Sequence, residues 1–315
     1  MAEHQVASYK PRYIEIAINL ADPIFRGKYH GTQRHPDDLK AVVGRALQVG
    51  CSKLIVTGSD LETARDALKL AQEYPGTIFA TAGIHPCNSS VFSSDGTTNG
   101  DGHMPLCDSN PSAPVSEYQK PDSTKSAAII AELTALVADE SNSHRNRLVA
   151  FGEFGLDYDR LHYCNKTLQL HSFEVQLRLA ASLEPQLPLF LHSRAAHSDF
   201  VSLLKTVYGD RLEKLEKGAV VHSFTGSAEE MAELMDLGLY IGINGCSFKT
   251  AENCAVVKGV RLDRVMLETD DSEIQTKSKK QVKEAEVPQQ FKVVKKEKWV
   301  QGAMVKGRVG LEEAD

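Results

Sequence analysis

The stretch LVAFGEFGLD, residues 148–157, joins a short apolar run to two carboxylates that follow it. Its first part, Leu148–Gly152, has the length and composition of a buried β-strand. Seven further runs of the same kind occur along the chain: Tyr13–Ile18, Lys53–Thr57, Ile78–Ala82, Pro188–Leu191, Ala219–Val221, Leu239–Ile243 and Arg264–Leu267. The chain therefore carries eight candidate strands.

Segments with helical spacing separate most of these strands. They are Pro36–Val49, Leu61–Tyr74, Ser126–Ala138, Leu168–Leu183, Phe200–Tyr208 and Ala228–Leu237. Strands that alternate with helices predict an α/β fold with a parallel sheet. An open doubly wound sheet has the same alternation, but the count of eight strands favours a (β/α)8 TIM barrel, which commonly needs ~250 residues.

The chain divides by composition into three parts. Residues 1–12 form an N-terminal tail, residues 13–270 the catalytic barrel, and residues 271–315 a charged, atypical C-terminal segment. Within the barrel, residues 88–123 are rich in Ser, Gly, Asp, Asn and Pro, which predicts a flexible insertion rather than a packed element. The basic run Lys292–Lys298 is expected to be a solvated helix face.

The charge and cysteine content exclude several classes of protein. A net charge of −6 argues against a protein that coats nucleic acid through a strongly basic surface, but it is compatible with a nuclease whose metal ions supply positive charge. The six cysteines show no C-x-x-C spacing, which argues against a zinc knuckle or a disulfide scaffold. Because no secretion signal or long apolar stretch is visible, we expect a soluble protein in the cytoplasm, the nucleus or both, without a membrane. We also expect a monomer without a stable protein partner.

Potential metal ligands follow four of the predicted strands. Glu153 follows the fourth strand, His192 the fifth, His222 the sixth and Asp270 the eighth. In a (β/α)8 barrel these strand ends converge on one face. Two imidazoles and a carboxylate suit Zn²⁺, Mn²⁺ or Fe²⁺, whereas Asp270 with an oxygen of Glu153 and of Asn19 suits Mg²⁺ or Mn²⁺. A shared carboxylate would hold two ions ~3.5–4 Å apart, as phosphodiester hydrolysis requires.

Five motifs, taken in order, resemble the signatures of the TatD deoxyribonucleases: Gly83-Ile84-His85-Pro86, Gly152-Glu153-Phe154-Gly155-Leu156-Asp157, Leu191-His192-Ser193-Arg194, Val221-His222-Ser223-Phe224 and Glu268-Thr269-Asp270. The first strand and the Phe25-Arg26-Gly27 that follows it resemble the eukaryotic branch in particular. The resemblance implies a metal-dependent nuclease, often a 3′-to-5′ exonuclease on DNA, within the wider amidohydrolase-like barrels.

The chain departs from the family pattern at two places. Most members carry a His-x-His pair on the first strand, where this chain has Ala17 and Asn19, so the oxygen-rich metal position has lost nitrogen ligands and should bind its ion more weakly or prefer Mg²⁺. After Asp270 the usual small residue, Pro and aromatic are replaced by Asp271-Ser272-Glu273. We therefore expect the closing helix to be incomplete or rebuilt, with an exposed seam between the first and last strands.

The predicted catalytic residues are Glu153, Asp270 and His85. Glu153 would bridge the two ions, most favourably Mg²⁺ or Mn²⁺ with Zn²⁺ as a further option, and Asp270 would accept the proton of an activated water. His85 and Arg194 are candidates to contact a substrate phosphate, although an ion pair from Arg194 to Asp157 or Glu153 is an equal alternative.

Supporting roles are also predicted for two other residues. Asp157 is expected to hold the loop after the fourth strand, and Lys249 is a candidate contact to the backbone of the substrate strand. Two further functions stay open at this point. The same barrel and ligands could hydrolyse a small amide or ester, or the chain could be a shortened form that binds metal without turnover.

Overall fold

Eight parallel strands form a single sheet in which the strands are neighbours in chain order. The strands are β1 (Tyr13–Ile18), β2 (Cys51–Val56), β3 (Ile78–Ala82), β4 (Leu148–Asp157), β5 (Leu189–Arg194), β6 (Ala219–Val221), β7 (Tyr240–Ile243) and β8 (Val265–Leu267). The computed structural model describes residues 12–29, 31–94, 119–142, 146–269, 293–301 and 304–305. The predicted (β/α)8 TIM barrel is confirmed.

The part of the chain that the structure describes contains seven α-helices, one between each pair of successive strands. They are α1 (Leu39–Gln48), α2 (Leu61–Glu73), α3 (Ser123–Asn142), α4 (Lys166–Ser182), α5 (His197–Tyr208), α6 (Ala228–Asp236) and α7 (Ala251–Gly259). Two of them begin with reciprocal caps, between Asp60 and Thr63 at α2 and between Ser227 and Glu230 at α6. The helix α7 was not predicted, because its apolar residues do not recur along one face of the helix. Val256 and Val257 pack partly against the core, and no residue of α7 is fully buried. None of the described helices is long and apolar enough to cross a membrane.

Apolar side chains pack in two layers, one between the sheet and the helices and one inside the barrel. In the outer layer, the ring of Phe173 stacks on Phe200 with centroids 5.2 Å apart and lies 5.6 Å from Phe154. The inner layer contains five buried residues: Ile16, Ala17, Ala150, Phe190 and Val220. This inner layer fills the barrel below the carboxyl ends of the strands. Polar groups at the strand ends therefore lie next to close-packed apolar side chains.

The seam between β1 and β8 is joined through a buried side chain. The carboxylate of Glu15 accepts the backbone N–H of Ala17 at 2.8 Å and that of Thr269 at 3.1 Å, so one acid connects the two strands. Burial raises the pKa of Glu15 to about 8. Ile14 and Leu267 are each 54% exposed beside the seam. In the part of the chain that the structure describes, β8 is followed by the 3-10 helix Lys296–Lys298 and by no α-helix.

The insertion predicted for residues 88–123 is ordered and packed at both ends. Its beginning lies in a 3-10 helix, Pro86–Phe92, in which Phe92 is fully buried. The backbone of Ser93 pairs with Pro121, and α3 starts at Ser123. The prediction of an unpacked segment is therefore wrong at these ends, because the buried Phe92 anchors the first and backbone pairing with Phe92 and Ser93 anchors the second. Its central part, residues 95–118, lies outside the described residues.

Candidate metal centre at the carboxyl ends of the strands

Four polar side chains meet around one carboxylate oxygen at the carboxyl end of the barrel. Glu153 Oε1 lies 2.7 Å from Nε2 of His222, 3.0 Å from Nδ1 of His192 and 3.3 Å from Nε2 of His85. The four residues come from β4, from β5 and from the segments just after β3 and β6, and all are buried. The structure thus brings together three of the predicted metal ligands and His85.

A glycine in β4 allows this close approach. Gly155 has φ +154°, and a Cβ atom built there would lie 1.9 Å from the carbonyl oxygen of His192. Any larger residue would push β4 away from β5. The backbone N–H of Glu153 is held by the carbonyl of Gly58 at 2.9 Å, which fixes the strand on its other side. The glycines of the motif therefore set the position of the acid between them.

His192 is oriented by a second carboxylate. Its Nε2 lies 3.0 Å from Oδ2 of Asp157, and Asp157 also pairs with the buried guanidinium of Arg160. Burial alone would raise the pKa of Asp157, but the hydrogen bond from His192 and the charge of Arg160 hold it well below its usual range. Asp157 is therefore ionised and accepts a hydrogen bond from the Nε2–H of His192. This leaves the Nδ1 lone pair of His192 directed at Glu153.

His222 also has a carboxylate behind it. Its Nδ1 is 3.5 Å from Oε2 of Glu268, and the backbone N–H of Ser223 donates to the other oxygen of that carboxylate. Burial opposes a charged imidazole, but the adjacent Glu153 outweighs it and raises the pKa of His222 well above its usual range. Burial likewise opposes ionisation of Glu153, but the charge of His222 and the hydrogen bond from that ring lower the pKa of Glu153 well below its usual range. Glu153 is therefore a carboxylate.

His85 differs from the other two histidines in its hydrogen bonds. Its Nδ1 accepts the backbone N–H of Cys87 at 3.1 Å, so the proton of the neutral ring is on Nε2, which points at Glu153. Burial lowers the pKa of His85, which favours this neutral form. The ring therefore presents an N–H to the site. That suits a hydrogen-bond donor to a phosphate oxygen better than a metal ligand.

The donor set fits a divalent cation. Ligand atoms of His85, Glu153 and His192 all lie within 4.8 Å of one another, and Nε2 of His222 is 3.2 Å from Nδ1 of His192. Carboxylates behind His192 and His222 fix the rings with one nitrogen facing Glu153, as in carboxylate–histidine–metal arrangements. Because the proton of His85 occupies its inward nitrogen, Glu153, His192 and His222 are the better ligands.

Two other predicted residues, Asn19 and Arg194, lie at the carboxyl ends of β1 and β5. The amide oxygen of Asn19 accepts a hydrogen bond from the hydroxyl of Thr57, so it links the ends of β1 and β2. Arg194 is half-buried at the end of β5. An ion pair between Arg194 and Asp157, one of the expected alternatives, is wrong, because the buried partner of Asp157 is Arg160.

Two predicted residues cannot be placed in the cluster, and two others were missed. Lys249 is exposed after the 3-10 helix Gly245–Phe248, and Asp270 lies outside the described residues. Sequence reasoning gave no role to Arg160 or Glu268. Their positions carried a signal, since Arg160 follows Asp157 by three residues and Glu268 directly follows the eighth predicted strand, Arg264–Leu267.

A family model described as TatD related DNase matches residues 29–307. The chain belongs to the TatD family. A deoxyribonuclease Tat-D of Schizosaccharomyces pombe is 38% identical over 300 residues, which cover 94% of this chain and 84% of that protein. A 3′-5′ ssDNA/RNA exonuclease TatD of Citrobacter koseri is 35% identical over 236 residues, 74% of this chain and 72% of that protein.

A solved structure shares the whole architecture. It is an uncharacterized amidohydrolase of Saccharomyces cerevisiae, 32% identical, with a TM-score of 0.77 over 95% of this chain and 90% of that one. The resemblance to TatD deoxyribonucleases drawn from the five motifs is confirmed. The TatD barrel, together with the cluster around Glu153, implies use of a divalent metal.

Proposed function

We propose that this TatD protein is a metal-dependent deoxyribonuclease that hydrolyses phosphodiester bonds in the manner of a 3′-to-5′ exonuclease. One observation carries the proposal. A buried carboxylate, Glu153, faces the nitrogens of His192 and His222, and each of these rings has a carboxylate behind it. The names of the yeast and bacterial relatives support DNA, and single strands in particular, as the substrate.

In this proposal Glu153, His192 and His222 hold a divalent ion. When bound, the ion supplies an acidified water and neutralises charge on the phosphoryl oxygens. Mg²⁺ or Mn²⁺ is the proposed ion, with Zn²⁺ also compatible with two imidazoles. We assign Asp270 and Asn19 to a second metal site that binds its ion more weakly. Glu153 would be a ligand at both metal sites. The support for this second position is the sequence pattern alone.

The remaining residues act on the substrate and its proton. His85 donates a hydrogen bond from its Nε2–H to a phosphoryl oxygen, because its Nδ1 already accepts the N–H of Cys87. Asp270 accepts the proton released when the phosphodiester is attacked. Arg194 binds a neighbouring phosphate, and Lys249 contacts the strand further out, where it is exposed. We also propose a monomer without a stable protein partner, acting in the cytoplasm, the nucleus or both.

A labelled single strand tests the proposal. The protein is incubated with a 5′-labelled oligonucleotide in Mg²⁺, Mn²⁺, Zn²⁺ or chelator, and we expect a ladder that shortens from the 3′ end only when a metal is present. His192→Ala should reduce cleavage to background. The matched control is His171→Ala, which removes a histidine bonded to Ser126 on the outer helices. Equal cleavage by His192→Ala and the control would refute the proposed site.

The two other functions give different results in the same experiment. A small amide or ester hydrolase would turn over such substrates with metal and leave the oligonucleotide intact. A protein that only binds metal would be stabilised by Mn²⁺ in a thermal-shift assay and would cleave neither. Nuclease activity that disappears in chelator is the result expected here.

A further inference from the structure

The C-terminal segment 293–301 lies against the loop that follows β1. The indole of Trp299 stacks on the imidazole of His35, with centroids 5.4 Å apart and planes at 19°. The Nζ atom of Lys296 lies 4.7 Å from the centre of the Tyr29 ring. Tyr29 and His35 also contact each other, with centroids 5.7 Å apart. We call these four residues the Tyr29–Trp299 surface.

This surface is rich in positive charge although the whole chain is acidic. Residues 26–38 and 293–301 together contain six lysines and arginines against three acidic residues, in a chain of net charge −6. Four of these cations are exposed and make no ion pair with any residue that the structure describes: Lys28, Arg34, Lys295 and Lys298. They flank the aromatic rings on both segments.

The acidic groups near this surface do not cancel its charge. Asp37 pairs with Arg26 at 2.8 Å, and Asp38 is buried beside His35. Glu297 is exposed between two lysines of the same segment. A positive surface therefore faces solvent.

The position of the surface relates it to the metal centre. The loop that carries Tyr29 and His35 leaves the carboxyl end of β1, and the carboxyl ends of the parallel strands form the face on which Glu153 lies. A polymer held there can continue towards the metal centre without crossing the barrel. Lys217 precedes β6, so it marks the opposite end of the barrel.

We propose that the Tyr29–Trp299 surface and its flanking cations bind the backbone of a single-stranded nucleic acid on its way to the metal centre. The inference rests on the proposed nuclease function and adds a substrate-binding site to it. Cations interleaved with aromatic rings suit single strands, because lysines neutralise phosphates while partly exposed rings can stack on unpaired bases. Tyr29 and Trp299 are the partly exposed rings, and the buried His35 supports Trp299 from beneath. An acidic protein would use the charges but gain little from the rings.

The exposed lysines allow a test that leaves the packing intact. The variant Lys295→Gln/Lys298→Gln removes two charges without touching Trp299, and Lys214→Gln/Lys217→Gln removes two exposed charges at the opposite end of the barrel. Binding of a fluorescent 20-nucleotide strand is measured in chelator, and hydrolysis of bis(p-nitrophenyl) phosphate is measured with metal. We expect the first variant to raise Kd about tenfold at low salt and to reduce the slope of log K against log salt by about 1.4.

The control variant should bind the strand as the wild type does, and both variants should hydrolyse the small diester at the wild-type rate. Equal Kd for the first variant and the wild type, or an equal loss in the control, would overturn the inference. Binding of an acidic polypeptide as tight as that of the strand would also overturn it. If the wild type cleaves neither the small diester nor the labelled strand with any metal, the proposed function itself fails, which is a separate result.

Discussion

Replacement of Glu15 by Gln should make the protein's stability less dependent on pH. Glu15 is 4% exposed, and burial raises its pKa from the ordinary 4.5 to about 8. A group whose folded-state pKa is raised stabilises the fold fully below its unfolded pKa, and this contribution is lost as pH rises through the folded value. In the wild type this contribution of Glu15 to the free energy of unfolding is therefore lost between about pH 4.5 and about pH 8.

The size of the effect follows from the shift. A change from 4.5 to about 8 corresponds to roughly 5 kcal/mol over the whole window, at about 1.4 kcal/mol for each unit of pKa. Between pH 6 and pH 8 the wild type should lose about 2 kcal/mol of unfolding free energy from this group. Gln offers the same oxygen to the N–H groups of Ala17 and Thr269 and does not titrate, so Glu15→Gln should not show this loss.

Urea denaturation at pH 6, 7 and 8 measures the difference. The stability of Glu15→Gln relative to the wild type should rise by about 2 kcal/mol across this range. An infrared spectrum at pH 7 should show a protonated carboxyl band that is lost in the variant. Glu62→Gln, on the exposed face of α2, controls for the removal of a carboxylate. Parallel pH profiles for Glu15→Gln and the wild type would refute the reasoning.

Three further substitutions probe the centre and the core. Asp157→Asn removes the anion that orients His192 and should weaken Mn²⁺ binding 10–100-fold by calorimetry; unchanged affinity would contradict the role of Asp157. His85→Ala should reduce kcat on a labelled strand about 100-fold and leave Mn²⁺ affinity unaltered, whereas lost metal binding would make His85 a ligand. Phe173→Ala opens a cavity beside Phe200 and should lower the unfolding free energy by about 3–5 kcal/mol in urea, and a loss below 1 kcal/mol would mean that the core refills the space.

The sequence predicted the barrel because each strand is a short apolar run bounded by a polar motif. All eight predicted strands are present, and three of them, Tyr13–Ile18, Ile78–Ala82 and Ala219–Val221, agree at both ends. The convergence of Glu153, His192 and His222 was predictable for the same reason, since parallel strands end at one edge. A residue that follows a parallel strand can therefore be assigned to this edge of the barrel from the sequence alone.

Other features depend on contacts between residues far apart in the chain. Glu15 and Thr269 are separated by 254 positions, and nothing in either segment indicates that a carboxylate joins β1 to β8. The stacking of Trp299 on His35 is equally remote in sequence. The run at Lys292–Lys298, expected to be a solvated helix face, contains a 3-10 turn at Lys296–Lys298, and its Lys296 lies over an aromatic ring. Tertiary packing determines such pairs, and local patterns do not encode them.

The central claim is that Glu153, His192 and His222 hold the divalent ion and that His85 does not. X-ray data from crystals soaked in Mn²⁺, collected at the manganese absorption edge, test it most directly. We predict an anomalous peak within about 2.3 Å of a Glu153 oxygen and of one nitrogen each of His192 and His222, with His85 beyond bonding distance. No peak at these side chains, or a peak bonded to His85 in place of His222, would contradict the account.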